Sequence, residues 1–259
     1  MEKALVTNGV SARSATALLR PGILAFGGPI TTSDLHAHHA VQVLRASTPL
    51  TVMDASGARH RGTQVIVPAD APHRIDAGAD HGAALYLDPE TIAGAAADRR
   101  AHDHGWAATA PPDTARPALA DQVAAVLAAL RCDPATVKGA QHSAVTEALR
   151  VLPTLVPDRS IRGADVARRV GLSPARLSHL FAAQVGIPLR PYILWLRLRV
   201  AIVRVRSGDD LDTAATAAGF DDSAHLTRTC RRTFGLVPTA LEPTAQWDLG
   251  ETAWPCAAD

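Results

Sequence analysis

The groups able to do chemistry in this 259-residue chain are unevenly distributed. Between Asp158 and Leu241 stand 13 arginines, with no lysine and no glutamate, against 7 aspartates, a balance of +6. The rest of the chain holds 13 basic against 18 acidic residues, a balance of −5, so the formal charge of +1 conceals two opposite halves. A basic module joined to a mildly acidic one suits a nucleic-acid reader with a separate non-binding domain, because phosphate attraction needs positive charge only on the contacting part. A solvated arginine-rich surface has the same charge count, so charge alone leaves both readings open. Histidine is skewed the other way: nine of the eleven precede residue 158, and His36, His38 and His39 fall in one short run. Cys132, Cys230 and Cys256 are odd in number, widely spaced and never in a Cys-x-x-Cys pair. Neither a disulfide framework nor a thiolate zinc site is expected, and the thiols should be reduced.

The elements that must position these groups fall into distinct stretches. No run approaches the eighteen or so apolar residues of a membrane span, and Met1 to Ser14 lacks the apolar core of a signal peptide, so a cytoplasmic protein is expected. Residues 1–105 read as short β segments punctuated by Gly, Pro and Asp. These are Gly22–Phe26, His39–Leu44 ending at Ser47-Thr48-Pro49, Leu50–Met53, Gln64–Val67 and Ala83–Leu87. Short strands so spaced suggest a small antiparallel barrel or sandwich. Residues 106–157 begin with a linker rich in Ala, Thr and Pro. Two amphipathic helices follow, one with Leu119, Val123, Val126, Leu127 and Leu130 on a single face, the other running from Val137 to Leu152 and ended by Pro153. They should form a helical hairpin whose apolar face either packs on the β domain or seals a homodimer.

From Ile161 the pattern is helical with tight turns. Gly163–Val170 makes a short helix, Gly171-Leu172 a turn, and Ser173-Pro174 a capped start for a second helix ending at Gly186. Leu177, Leu180 and Phe181 should face the core, leaving Ala175, Ser178 and His179 outward. A long arginine-bearing helix, Tyr192 to Ser207, is expected to bury Ile193, Leu196, Val200 and Val203. The unit then repeats: Leu211–Ala218, a Gly219-Phe220 turn, a start at Asp221-Asp222-Ser223 and a helix closed by Gly235. Here Leu226 faces inward while Ser223, Ala224, Thr227 and Arg228 face out. Two helix-turn-helix patterns in tandem are far more specific than one.

Residues 158–242 resemble the AraC/XylS family of bacterial transcription regulators. The resemblance rests on Ala217–Arg228 with its Gly219-Phe220, on Phe234-Gly235-Leu236-Val237-Pro238, and on Val166-Ala167, Leu172-Ser173, Leu180-Phe181 and Gly186 in the first unit. It implies double-stranded DNA as partner, with the two recognition helices in successive major-groove turns. Ala175, Ser178 and His179, then Ser223, Ala224, Thr227 and Arg228, would be the base-facing positions. His179 and Arg228 are the expected hydrogen-bond partners of guanine, a phosphate contact being nearly as good a role for Arg228. The sequence departs from the family at Cys230, where an aromatic is usual, and at Leu241 after Pro238-Thr239-Ala240. Cys230 reads as a small buried apolar group.

His36-Ala37-His38 with Gln42, followed by Pro68–His73, resembles the two motifs of a cupin barrel, the usual sensor of this regulator family. The resemblance implies that His36, His38 and His73 converge, with Gln42 standing where metal-holding cupins have a glutamate. A divalent transition metal (zinc, nickel, copper or iron) or a small organic effector would suit such a site, and plain structural histidines are the remaining reading. His102 and His104 read as exposed loop residues. The fold expected is therefore α+β and multidomain: an N-terminal antiparallel β cupin-like barrel, a helical connector, an all-α tandem helix-turn-helix domain and a tail, 243–259, that either docks or frays. The function expected is sequence-specific transcription regulation governed by a small-molecule or metal effector, with RNA polymerase as a further partner if the protein activates. The alternative is a metal-dependent cupin enzyme with a basic appendage. It lacks a convergent carboxylate, because Gln42 displaces it. A repair protein built on the same DNA module would need a reactive cysteine cluster that the sequence does not have.

Overall fold

The computed structural model describes residues 16–109, 117–130, 142–156, 161–236 and 246–250. The N-terminal half is a mixed unit dominated by one sheet: β1 (Thr16–Arg20), β2 (Ile23–Ile30), β3 (Val41–Asp54), β4 (Arg59–Val67), β5 (His73–Ala77) and β6 (Ala79–Leu87), followed by α1 (Ile92–His104) and β7 (Ala107–Ala108). Helices α2 (Leu119–Ala129) and α3 (Ser143–Leu155) lead to α4 (Gly163–Arg169), α5 (Pro174–Val185), α6 (Leu189–Arg206), α7 (Leu211–Ala217) and α8 (Ser223–Phe234), and β8 (Gln246–Asp248) returns to the sheet.

The sheet runs β7-β4-β3-β6-β2-β1-β8, with β5 also on β3, and is antiparallel except where β8 joins β1. It is open, not the closed barrel expected from the sequence: among the described residues its end strands are two and three residues long, too short to offer each other a ladder. The Ser47-Thr48-Pro49 segment does not end a strand either. β3 continues through it for 14 residues, the pairing with β4 shifting register between Arg45 and Leu50, where a bulge accommodates the proline that cannot donate.

Strand alternation sorts the side chains into two buried faces. Leu18, Ala25, Val41, Val43, Ile66 and Leu85 point to one core, closed by Ala97 and Ala101 of α1 and by Leu119, Val123 and Val126 of α2. Helix α1 is invisible to a pattern search because its buried face is Gly94, Ala97 and Ala101, with no large apolar stripe. His102 and His104 are exposed as expected, but on this helix instead of a loop.

The alternate residues Ala17, Leu19, Leu24, Phe26, Leu44 and Tyr86 face the other way, into a core that continues without interruption through α3 to α8. The two central helices therefore form no hairpin: α2 lies on β1, β2 and β6, whereas α3 lies on α4 and α5. The apolar stripe of α2 packs on its own sheet through Leu119, Val123 and Val126. Residues 131–141, including Cys132 and Val137, lie outside the described residues, and α3 runs through Pro153 instead of stopping there. Pro153 has no N–H to donate to the preceding turn, so α3 forgoes one hydrogen bond there.

Helix α6 is buried on more than one side. Ile193 and Leu196 are buried as expected, but so are Trp195, Leu198, Ala201 and Ile202, while Val203 is exposed. It sits between the helix-turn-helix units and the sheet, so a single stripe could not describe it. Leu19 and Leu24 of the sheet meet Leu198 and Ile202 of α6 and Cys230, Phe234 and Leu236 of the α8 end around one small apolar gap. Trp247 of β8 packs edge-on against Phe26, and Arg20 holds the Asp248 carboxylate with two hydrogen bonds of 2.7 Å, so the tail docks as far as it is described. Trp254 and Cys256 lie outside the described residues.

Candidate functional site

The sheet brings together the three histidines that the sequence singled out. His36 and His73 face each other across an isolated antiparallel bridge, exchanging two backbone hydrogen bonds of 2.9 and 2.8 Å. His38 stands beside them, with ring centroids 5.6 Å from His36 and 5.0 Å from His73. One potential ligand atom from each of the three rings falls within 4.8 Å of the others, and among the described residues no carboxylate joins the group.

Each ring is oriented by the main chain. Nδ1 donates to a backbone carbonyl in all three: Asp34 for His36 (2.8 Å), Ala40 for His38 (2.9 Å) and Ala71 for His73 (2.9 Å). A neutral imidazole that donates through Nδ1 carries its lone pair on Nε2. The Nε2 atoms of His36 and His38 are buried with no hydrogen-bond partner. The Nε2 of His73 lies 3.2 Å from Gln42 Oε1, an acceptor facing an acceptor. A cation between the two would relieve this opposition, as would a half-turn of the amide.

Burial keeps the His38 and His73 rings neutral. It drives the His38 imidazole down to about 4, aided by His36, and that of His73 to about 3. Three imidazoles, each with Nδ1 held by a main-chain carbonyl and Nε2 turned toward the group, form a donor set suited to a borderline divalent ion such as zinc, nickel or copper. Gln42 is fully buried and its amide nitrogen donates to the Tyr86 hydroxyl at 3.0 Å. The departure from a carboxylate at this position leaves the group without negative charge of its own.

The second candidate surface is on the helices. Gly171 (φ +69°) and Gly219 (φ +80°) make the turns of the two helix–turn–helix units. At Gly219 a Cβ would also stand 2.5 Å from the Val156 carbonyl, so no other residue fits beneath α3. Ser173 caps α5 by accepting from Arg176 N–H, and Asp222 caps α8 by accepting from His225 N–H at 2.5 Å. Leu177, Phe181 and Val185 of α5, and Leu226, Cys230 and Phe234 of α8, are buried. That orientation leaves Ala175, Ser178, His179, Ala224 and Arg228 exposed and Ser223 and Thr227 half-buried at the edge of the outward face.

Two further exposed arginines escaped the sequence reading: Arg176 in the first turn of α5, and Arg231, which follows Ala224 and Arg228 along one stripe of α8. Helical spacing alone could have pointed to Arg231. The Cys230 thiol is buried and burial pushes it up to about 12, which fits a packing residue and not a redox switch.

Residues 166–242 match the family described as a helix-turn-helix domain. Over 114 residues, 42% of this chain, the sequence is 28% identical to the arabinose operon regulatory protein of Escherichia coli strain K12. Through this module the chain is similar to the AraC/XylS family. The chain spans 38% of the length of that relative. Solved structures similar to it include an AraC-type transcriptional regulator from Chromobacterium violaceum, 26% identical, covering 38% of this chain and 88% of the other with a TM-score of 0.35. ToxT from Vibrio cholerae O395 is 10% identical, covering 85% of this chain and 99% of that one with a TM-score of 0.43.

Proposed function

We propose that the protein is a sequence-specific DNA-binding transcription regulator, with α5 and α8 as its two reading helices and the N-terminal sheet domain as its sensor. The observation that carries this reading is the helix-turn-helix match over residues 166–242, on helices whose outward faces are exposed. Ala175, Ser178 and His179 of α5, and Ser223, Ala224, Thr227 and Arg228 of α8, are the base-facing set. Arg176 and Arg231 add charge for phosphates at their flanks. Pro174 and Ala175 offer a thymine methyl only apolar contact, so hydrogen-bonded readout falls to His179 and Arg228.

In this reading His36, His38 and His73 hold a divalent transition ion, with Gln42 Oε1 beside them, and the ion's charge is the signal. A small organic effector in the same place is the alternative occupant. The enzyme alternative finds no carboxylate within the histidine group among the described residues. Among the described residues no helix is long and apolar enough to cross a membrane, in keeping with a cytoplasmic regulator.

The test is selection of duplex sites from a random pool by the full-length protein, followed by affinity measurements at several salt concentrations. Binding should fall steeply with salt. Arg228→Ala should lose about 1–3 kcal/mol on the selected site and much less on random DNA. Equal loss on both would make Arg228 a phosphate contact, and no enrichment of any sequence would refute the reading.

A further inference from the structure

The last turn of α8 is finished by the sheet domain. A helix leaves its final carbonyls without partners, and here two of them are taken up from outside: His39 N–H donates to the Arg232 carbonyl at 2.9 Å and Ala40 N–H to the Thr233 carbonyl at 2.8 Å. The same three-residue segment begins with His38, whose ring belongs to the histidine group and is pinned through Nδ1 to the carbonyl of Ala40. The peptides that cap the reading helix are thus contiguous with one ligand of the site.

A second connection runs through side chains. The Tyr86 ring meets His38 edge-on at 5.4 Å on one side and Phe234, the last residue of α8, at 6.1 Å on the other. Its hydroxyl accepts from Gln42, which in turn faces His73. Tyr86 is fully buried, so a shift on one side cannot be absorbed by solvent.

We propose that occupation of the histidine site by a divalent transition ion is transmitted to α8 through the His38–Ala40 segment and Tyr86, setting how firmly the sheet domain grips the end of the second reading helix. The inference rests on the metal-binding reading above and adds its route and its target. Drawing the His38 Nε2 toward an ion tilts a ring whose other nitrogen holds the Ala40 carbonyl, and so displaces the two donors that cap α8. Among the described residues no backbone hydrogen bond runs from the sheet domain to the last turn of α5, whose neighbours are α4, α3 and α6. The response should therefore be confined to one of the two readers. By linkage, the factor by which the ion changes the docking equilibrium of α8 is the factor by which docking changes ion affinity.

The experiment uses the full-length protein and Co(II), whose visible absorption reports uptake and geometry, with hydrogen exchange measured by mass spectrometry on the same samples. The expected result is stoichiometric uptake and at least a threefold change in exchange over residues 226–236 and at His39–Ala40, with residues 174–185 unchanged. In Tyr86→Leu, uptake should persist while the response of α8 falls by at least half; Phe234→Leu, a milder change, should shift Co(II) affinity severalfold. Uptake with no change at α8 overturns the inference and leaves the metal site standing. A response spread equally over α5 and α8 also overturns it, because it would reflect general stabilisation. No uptake, or uptake that survives loss of His36, His38 and His73 together, overturns the metal reading and the inference with it.

Discussion

Helices α5 and α8 follow the same capping and burial pattern and differ in what surrounds them. Each is 12 residues long, starts from a side-chain cap and ends at a glycine with positive φ, Gly186 at +80° and Gly235 at +68°. Each buries an aromatic, Phe181 or Phe234. Phe181 packs edge-on against Tyr192, within the helical layer, whereas Phe234 packs against Trp195 on one side and Tyr86 of the sheet on the other. The end of α5 is held by other helices, whereas the end of α8 is built against the sheet. A repeated helix pattern can thus settle into two different surroundings.

Truncating the two aromatics should sharpen the contrast most. Phe181→Ala and Phe234→Ala should each cost about 3–5 kcal/mol in urea unfolding, since both leave large cavities. Only Phe234→Ala should also raise hydrogen exchange at His39 and Ala40; an equal rise in both variants would dissolve the distinction between the readers. A smaller effect is expected at Asp88, whose buried carboxylate accepts from Trp195 Nε1 at 3.1 Å across the seam. Asp88→Ala strands that indole N–H and should cost about 1–3 kcal/mol, with loosened exchange in α6 and not in α4. The caps should show the smallest effect and no asymmetry. Ser173→Ala and Asp222→Ala should each cost about 1 kcal/mol, because a cap acts only on its own first turn; a much larger loss at Asp222 would mean that the sheet depends on how α8 begins.

The local code for these helices was readable because it is short-range. Ser173-Pro174, Asp222, Gly171, Gly186, Gly219 and Gly235 each act within a few residues, and all sit where local rules place them. Site residues on an exposed face were legible for the same reason: once Leu177 and Leu226 are inward, Ser178 and Arg228 must be outward. Helix α1 was not legible, since its alanine face carries no large apolar signal, and neither was the continuity of β3 through Pro49. Convergence of His36, His38 and His73 was expected by resemblance alone; nothing in their spacing states that the main chain would bind every Nδ1.

By itself, then, the sequence determined the helices, their caps, the charge division and the identity of the candidate ligands, because propensity, capping and composition are properties of neighbours along the chain. Tertiary structure alone decided that the sheet stays open, that α2 and α3 part company, that α6 is buried on several sides, and that the sheet caps α8. Each of those outcomes depends on which apolar surfaces find each other. His39 and Arg232 are far apart in sequence, and no local pattern specifies that the amide of one will meet the carbonyl of the other. Only the shared core running from Leu19 and Leu24 through Leu198 to Phe234 brings them together.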